Sequence, residues 1–169
     1  PTELNPQIAY KVARATAQFL NAQSIVVGRD IRASSEEIAN SVIKGLMDSG
    51  VHVLDIGLCG TEGVYFATNA LKASGGIMVT ASHNPPDYNG MKFVREGSRP
   101  ISGDNGLKEI RGLAEANSFM KAHGSGRLEK IDISQEYLSH LLSYVDLKKL
   151  RPLKIVCHAG NGGAGLVVD

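Results

Sequence analysis

Residues 75 to 95 read Gly75-Gly76-Ile77-Met78-Val79-Thr80-Ala81-Ser82-His83-Asn84-Pro85-Pro86-Asp87-Tyr88-Asn89-Gly90-Met91-Lys92-Phe93-Val94-Arg95. The apolar run Ile77 to Val79 predicts a buried strand. It stops at Thr80, and a polar loop follows with Ser82, His83 and Asn84 in a row. Pro85-Pro86, Asp87 and Asn89-Gly90 then turn the chain. A second apolar stretch, Met91 to Val94, carries Lys92 in its midst. A nucleophile, an imidazole and an amine therefore share one strand–loop–strand unit.

Working back toward the N-terminus, the chain alternates helix and strand. Asn5-Pro6 is a helix start, with Asn as N-cap and Pro in the first turn. Ile8, Val12, Ala15 and Phe19 keep helical spacing to a stop near Asn21. Ser24 to Gly28 is a short buried strand, followed by the charged loop Gly28-Arg29-Asp30-Ile31-Arg32. Ser34 and Glu37 form a capping-box pair for a helix that runs to Gly50, a C-terminal glycine stop. Val51 to Gly57 is the next strand. Thr61 opens a helix to Leu71, and Gly75-Gly76 leads into the strand before Ser82.

Beyond Arg95, Gly97 to Pro100 is a turn, and Ser102 caps a helix that reaches Asn117. Residues 118 to 130 form an exposed loop with a short strand over Arg127 to Lys130. Asp132 and Gln135 cap a last amphipathic helix through Val145. Leu153 to His158 predicts a strand, and the glycine-rich run Gly160 to Gly165 follows it. The pattern is α/β, a mixed and mostly parallel sheet with helices on both faces. A domain over residues 1–150 is expected, and residues 151–169 are too short to bury a core. They read as the first strand and glycine-rich turn of a truncated second domain. The sequence opens on Pro1 with no initiator Met, so a fragment or a processed chain is expected.

Composition narrows the function classes. Hydrophobic residues are 43% and charged residues 21% of the 169, with a net charge of +1. No basic field favours nucleic acid or an anionic membrane. No apolar run approaches the roughly 18 residues of a membrane span, and no secretory leader is visible, so a cytoplasmic protein is expected. Cys59 and Cys157 lack CxxC partners and read as free thiols. Cys157-His158 are strand neighbours that point apart, so they do not grip one ion.

Ser82 after a buried strand is either a turn former or a nucleophile. A serine hydrolase fits poorly, because adjacent Ser82 and His83 do not form a base pair and no Gly-x-Ser-x-Gly elbow exists. A phosphoryl-accepting serine needs a rigid exposed loop, donors for phosphate oxygens and a cation. Asn84, His83, Lys92 and backbone N–H groups are candidates. Lys92 reads either as a surface-facing strand residue or as a phosphate-holding or basic amine. Arg29, at a strand end, reads as a phosphate partner or as one half of a loop salt bridge. In open α/β sheets ligands bind outside the carboxyl ends of the strands. The loops after strands 24–28 and 76–80 share one crevice if both strands point the same way. Gly160-Asn161-Gly162-Gly163-Ala164-Gly165 matches G-x-G-x-x-G and keeps a dinucleotide-binding oxidoreductase domain open. A non-catalytic interaction module is a further alternative.

Thr80-Ala81-Ser82-His83-Asn84-Pro85, with Asn89-Gly90-Met91-Lys92-Phe93, resembles the α-D-phosphohexomutase family, nearest its phosphomannomutase/phosphoglucomutase branch. Val27-Gly28-Arg29-Asp30 with Arg32, and Leu153 to Gly162, agree with that resemblance. It implies four domains, of which this chain matches the first and the opening strand of the second. It implies that phosphorylated Ser82 passes its phosphoryl group to a hexose phosphate (mannose, glucose or glucosamine), through a hexose 1,6-bisphosphate that turns over. By the same resemblance His83 and Lys92 are acid/base or phosphate-holding groups, and Arg29 lines the phosphoserine site. A Mg²⁺ ion would bridge Ser82, through its phosphate, to aspartates of the second domain. Those aspartates, the sugar-recognition loop and the phosphate-clamping loop have no match in this sequence. A fragment inactive on its own is therefore expected.

Overall fold

The structure, a computed structural model, describes residues 4–122, 124–160 and 163–164. The chain divides into two compact units, Pro1–Ile131 and Asp132–Asp169. The first is built from α1 (Pro6–Phe19), β1 (Ser24–Arg29), α2 (Ser35–Asp48), β2 (His52–Leu58), α3 (Thr61–Ala70) and β3 (Gly75–Val79). β4 (Met91–Arg95), β5 (Arg99–Pro100), α4 (Leu107–Ala116) and β6 (Leu128–Lys130) complete it. The second holds α5 (Ser134–Leu142) and a short 3-10 turn at Leu147–Lys149.

The six strands lie in the order β5-β4-β3-β1-β2-β6. β3, β1, β2 and β6 run parallel, while β4 pairs antiparallel with β3 and β5 antiparallel with β4. This is the mixed, mostly parallel sheet expected from the alternation of elements. The central strands are apolar along their length because both faces are covered. On one face Ile25, Val27, Val53, Ile77, Val79 and Phe93 pack with Ala9 and Ala13 of α1, Val42 and Leu46 of α2, and Ile110 of α4. Each fully buried Val or Ile contributes about 1.5–3 kcal/mol of transfer free energy.

α3 covers the opposite face and comes very close to the sheet. A Cβ on Gly28 would lie 2.5 Å from Cys59 Sγ and 2.6 Å from Val64 Cγ2. A Cβ on Gly76 would lie 2.3 Å from Thr68 Oγ1. Both strand positions need glycine for this approach.

Local signals fare unevenly. Asn5 caps α1 as its type predicts, its Oδ1 accepting the Ile8 amide at 2.9 Å. Gly50 follows α2 at φ +81°, the left-handed stop. The short strand expected near Lys130 is β6. The Ser34 capping box does not form: Ser34 sits in the right-handed helical region and makes no side-chain cap bond. Its hydroxyl is held by Asn89 Nδ2 at 2.9 Å.

Ser102 does not cap α4 either. The Ser102 amide donates to Asn105 Oδ1, and its carbonyl accepts the Leu107 amide in a closed turn. Gly106 then precedes the helix at φ +142°. The division between the two units falls at Ile131/Asp132, ahead of the last helix. The Ile131 amide donates to Asp55 carbonyl oxygen, which ends the backbone pairing along β2. Leu153 to His158 is not a strand among the described residues, since a strand needs a partner's ladder to close its hydrogen bonds.

Candidate functional site

β1 and β3 are parallel neighbours, with Arg29 opposite Val79. The loops that follow them leave the same end of the sheet, as the shared-crevice reading requires. The path from β1 goes through α2 to β2 on one side. The path from β2 goes through α3, on the other face, to β3 on the opposite side of β1. The strand order reverses at β1/β3, the place where open α/β sheets form a ligand crevice.

Ser82 stands in the loop after β3, exposed, at φ +54°. A non-glycine residue in the left-handed region carries a cost of about 1 kcal/mol or more, and such residues persist where surrounding bonds over-determine them. The bonds here are explicit. Thr80 Oγ1 accepts the Ser82 amide at 3.0 Å and donates to Asp30 Oδ2 at 2.7 Å. Asp30 Oδ1 accepts the Arg32 amide at 3.1 Å and the Ser35 hydroxyl. Arg32 Nε donates to Asp30 Oδ2 at 3.1 Å.

The Arg32 guanidinium reaches four loop carbonyls. Nη1 donates to Pro85 at 2.6 Å and Tyr88 at 3.0 Å, and Nη2 to Ser82 and Asn84, each at 2.8 Å. Asn89 Nδ2 ties the far end of the loop to the hydroxyls of Ser34 and Ser35. The loop is therefore a rigid structure, held from β1 and the start of α2. The loop salt bridge left open for Arg29 exists, but its arginine is Arg32.

The other predicted residues lie at the same end of the sheet. His83 and Asn84 are exposed beside Ser82. Asn84 closes a tight turn, its amide and Nδ2 both donating to Ala81 carbonyl oxygen at 3.1 and 2.9 Å. Lys92 is exposed on β4, paired with Met78, the surface-facing position that alternation predicts. Arg29 is half-buried at the end of β1. Among the described residues its guanidinium, the Ser82 hydroxyl, the His83 ring and the Lys92 amine have no hydrogen-bond partner. Ser82 and His83 thus form no nucleophile–base pair. Sequence reasoning passed over Asp30, Thr80 and Arg32 as site residues. The signal present was Arg29-Asp30-x-Arg32 directly after a strand end.

Neither Cys59 nor Cys157 is in a disulfide. Burial pushes the Cys59 thiol up to about 11, against the weaker opposing pull of the Arg29 backbone and charge. Among the described residues no three His, Cys, Asp or Glu side chains converge as a metal site. Of the glycine-rich run, Asn161, Gly162 and Gly165 lie outside the described residues.

The profile described as "Phosphoglucomutase/phosphomannomutase, alpha/beta/alpha domain I" matches residues 1–121. The chain belongs to the phosphoglucomutase/phosphomannomutase family. Among curated family members, a phosphomannomutase of Vibrio cholerae is 51% identical over 99% of this chain. A phosphomannomutase of Escherichia coli K12 is 53% identical over the same share. A Xanthomonas campestris protein named for phosphohexose mutases is 51% identical over the whole chain. The chain spans only 37% or 38% of the length of these relatives. A solved structure of a family protein from Burkholderia thailandensis superposes with a TM-score of 0.86 at 33% identity. It covers 98% of this chain and 37% of its own length. The sheet and helices described above are thus the α/β fold of the family's first domain. No helix among the described residues is long and apolar enough to cross a membrane.

Proposed function

We propose that this chain is the phosphoserine-bearing domain of a phosphohexomutase, a phosphomannomutase that interconverts hexose 6-phosphate and hexose 1-phosphate. The observation that carries the reading is Ser82: exposed, left-handed, and braced at the carboxyl end of the sheet where the strand order reverses. A serine whose only task is to turn a loop does not need so many bonds. Phosphoryl transfer depends on placement and charge neutralisation more than on covalent chemistry, and a rigid loop supplies placement.

In the forward step the bond from phosphorus to Ser82 Oγ breaks as a bond to a free hydroxyl of the hexose phosphate forms. The hydroxyl proton leaves to a base, and Ser82 Oγ regains a proton. The hexose 1,6-bisphosphate turns over, and its other phosphoryl group returns to Ser82. His83 and Lys92 hold or move the proton and steady the transferring phosphoryl group. Arg29 supports this role because, among the described residues, its guanidinium is uncommitted to other groups and can take phosphate bidentately. Asn84 keeps one side-chain amide hydrogen beyond its bond to Ala81 and can donate it. Phosphate on the exposed Ser82 Oγ would leave oxygens open to Mg²⁺. That ion, when bound, neutralises charge on the phosphoryl group. Its remaining ligands come, on this reading, from residues outside this chain.

The share of the relatives that the chain covers supports a longer enzyme, with residues after 150 opening its second domain. The loops that choose mannose, glucose or glucosamine then lie elsewhere, and the piece alone turns over no hexose phosphate. A cytoplasmic location belongs to the same reading, supported by the phosphomannomutase names of the relatives.

Intact-mass measurement of the cell-derived protein tests the proposal. One phosphoryl group is expected, lost in Ser82→Ala, together with loss of mutase turnover in the full-length enzyme. Unchanged turnover in Ser82→Ala would show that another residue carries the group.

A further inference from the structure

Arg32 is 12% exposed at its side chain, and all five of its guanidinium N–H donors are engaged. One goes to Asp30. The other four go to the carbonyls of Ser82, Asn84, Pro85 and Tyr88, residues 50 to 56 positions away in sequence. A lone structural arginine satisfies one carboxylate and water. This one gathers the carbonyls of a whole loop around its charge.

We propose that Arg32 is the positioning residue that turns the Ser82 loop outside-in, so that its exterior accepts a phosphoryl group. The inference rests on the reading of Ser82 as the phosphoryl carrier. A trans peptide plane directs its C=O and N–H oppositely, and the described chain has no cis bond. Pulling the Ser82 carbonyl onto Arg32 therefore points the His83 N–H away from Arg32, outward beside the serine. That amide makes no hydrogen bond among the described residues. Pulling in the Tyr88 carbonyl does the same for the Asn89 N–H.

The Asn84 and Pro85 carbonyls precede Pro85 and Pro86, which carry no N–H. The loop can gather those carbonyls without leaving donors stranded. Four partial negative charges are thus withdrawn from the surface that a phosphate dianion must approach, and a backbone donor is left on it. Lysine cannot substitute, because three tetrahedral donors do not match a planar fork aimed at four carbonyls.

Arg32 touches no substrate in this role, so its loss separates rate from binding. In the full-length enzyme Arg32→Lys is expected to lower kcat about 100-fold, as for a displacement of about 1 Å, with KM for the hexose phosphate within about twofold. Hydrogen exchange reads the loop directly. The Asn84 and Tyr88 amides, bonded within the loop to Ala81 and Pro85, should exchange at least about tenfold faster. The amides of β3 and α2 should keep their protection. Arg32→Gln should show the same pattern, and Arg32→Lys remains readable if Arg32→Gln fails to fold.

A rise in KM at unchanged kcat would make Arg32 a substrate contact and overturn the proposal. So would unchanged loop exchange, or protection lost evenly across the sheet and α2. Wild-type turnover in Ser82→Ala would remove the phosphoserine reading instead. The exchange comparison would still decide whether Arg32 shapes the loop.

Discussion

Thr80 and Asp30, fifty residues apart, are joined by a hydrogen bond of 2.7 Å from the Thr80 hydroxyl to Asp30 Oδ2. The same hydroxyl accepts the Ser82 amide. One side chain therefore connects the end of β3 to the loop after β1 and to the candidate nucleophile. Thr80→Val keeps the shape and removes both bonds. It is expected to destabilise the fold by about 1–3 kcal/mol, since buried polar groups lose their partners. Thr80→Ser should recover most of the loss. Urea unfolding with an unchanged slope measures it, and a shift below about 0.5 kcal/mol would mean that water replaces the hydroxyl.

Ser82 at φ +54° predicts an asymmetry between two substitutions. Glycine reaches that region without a Cβ penalty, though it adds unfolded-chain entropy. Ser82→Gly should be more stable than Ser82→Ala by about 0.5–1 kcal/mol, while both lose the hydroxyl proposed to accept phosphate. Thermal unfolding of the two variants side by side checks this. Equal midpoints would show that the loop relaxes once the serine is gone.

Arg29, half-buried and with no hydrogen-bond or ion-pair partner for its side chain among the described residues, behaves differently from Arg32. Arg29→Gln should leave stability within about 0.5 kcal/mol, as for a residue outside any network. In the full-length enzyme it should weaken turnover through the phosphorylated form. A large loss of stability instead would assign Arg29 to the framework.

Burial pushes the Cys59 thiol up to about 11, from an ordinary value of 9.0. The folded chain then keeps a proton that the unfolded chain releases. The stability this brings is present in full below about pH 9 and is lost as the pH rises through 11. Alkylation of Cys59, followed by peptide mapping, should be slow at neutral pH and should still be climbing steeply above pH 9. A rate that levels off near pH 9 would mean a solvated thiol.

The strand–loop–strand unit, the Asn5 cap and the Gly50 stop were legible from local pattern, and the parallel pairing of β1 with β3 met a condition that the sequence left open. Each depends on residues a few positions apart, or on alternation that the sheet must respect. The bracing of the site was not. The sequence suggests a loop ion pair for Arg29, whereas the pair that forms is Arg32 with Asp30. Nothing local reports the four carbonyls that Arg32 reaches 50 to 56 positions on. Ser34 and Ser102 carry cap signals, but Asn89 donates to the Ser34 hydroxyl, and Asn105 accepts the Ser102 backbone amide in a turn ahead of α4. Leu153 to His158 has a strand's composition but pairs with no strand among the described residues.

The pairing of β1 with β3 has a kinetic side. Ile25 meets Gly75 and Arg29 meets Val79, so the contact closes a loop of about fifty residues before it is rewarded, a step that slows folding. The Ser82 turn takes its shape from groups on both sides of that closure. It should therefore acquire native order late, with the sheet rather than ahead of it. A nascent or partly opened chain would then present the serine without its geometry, and only the completed fold would make it a competent carrier.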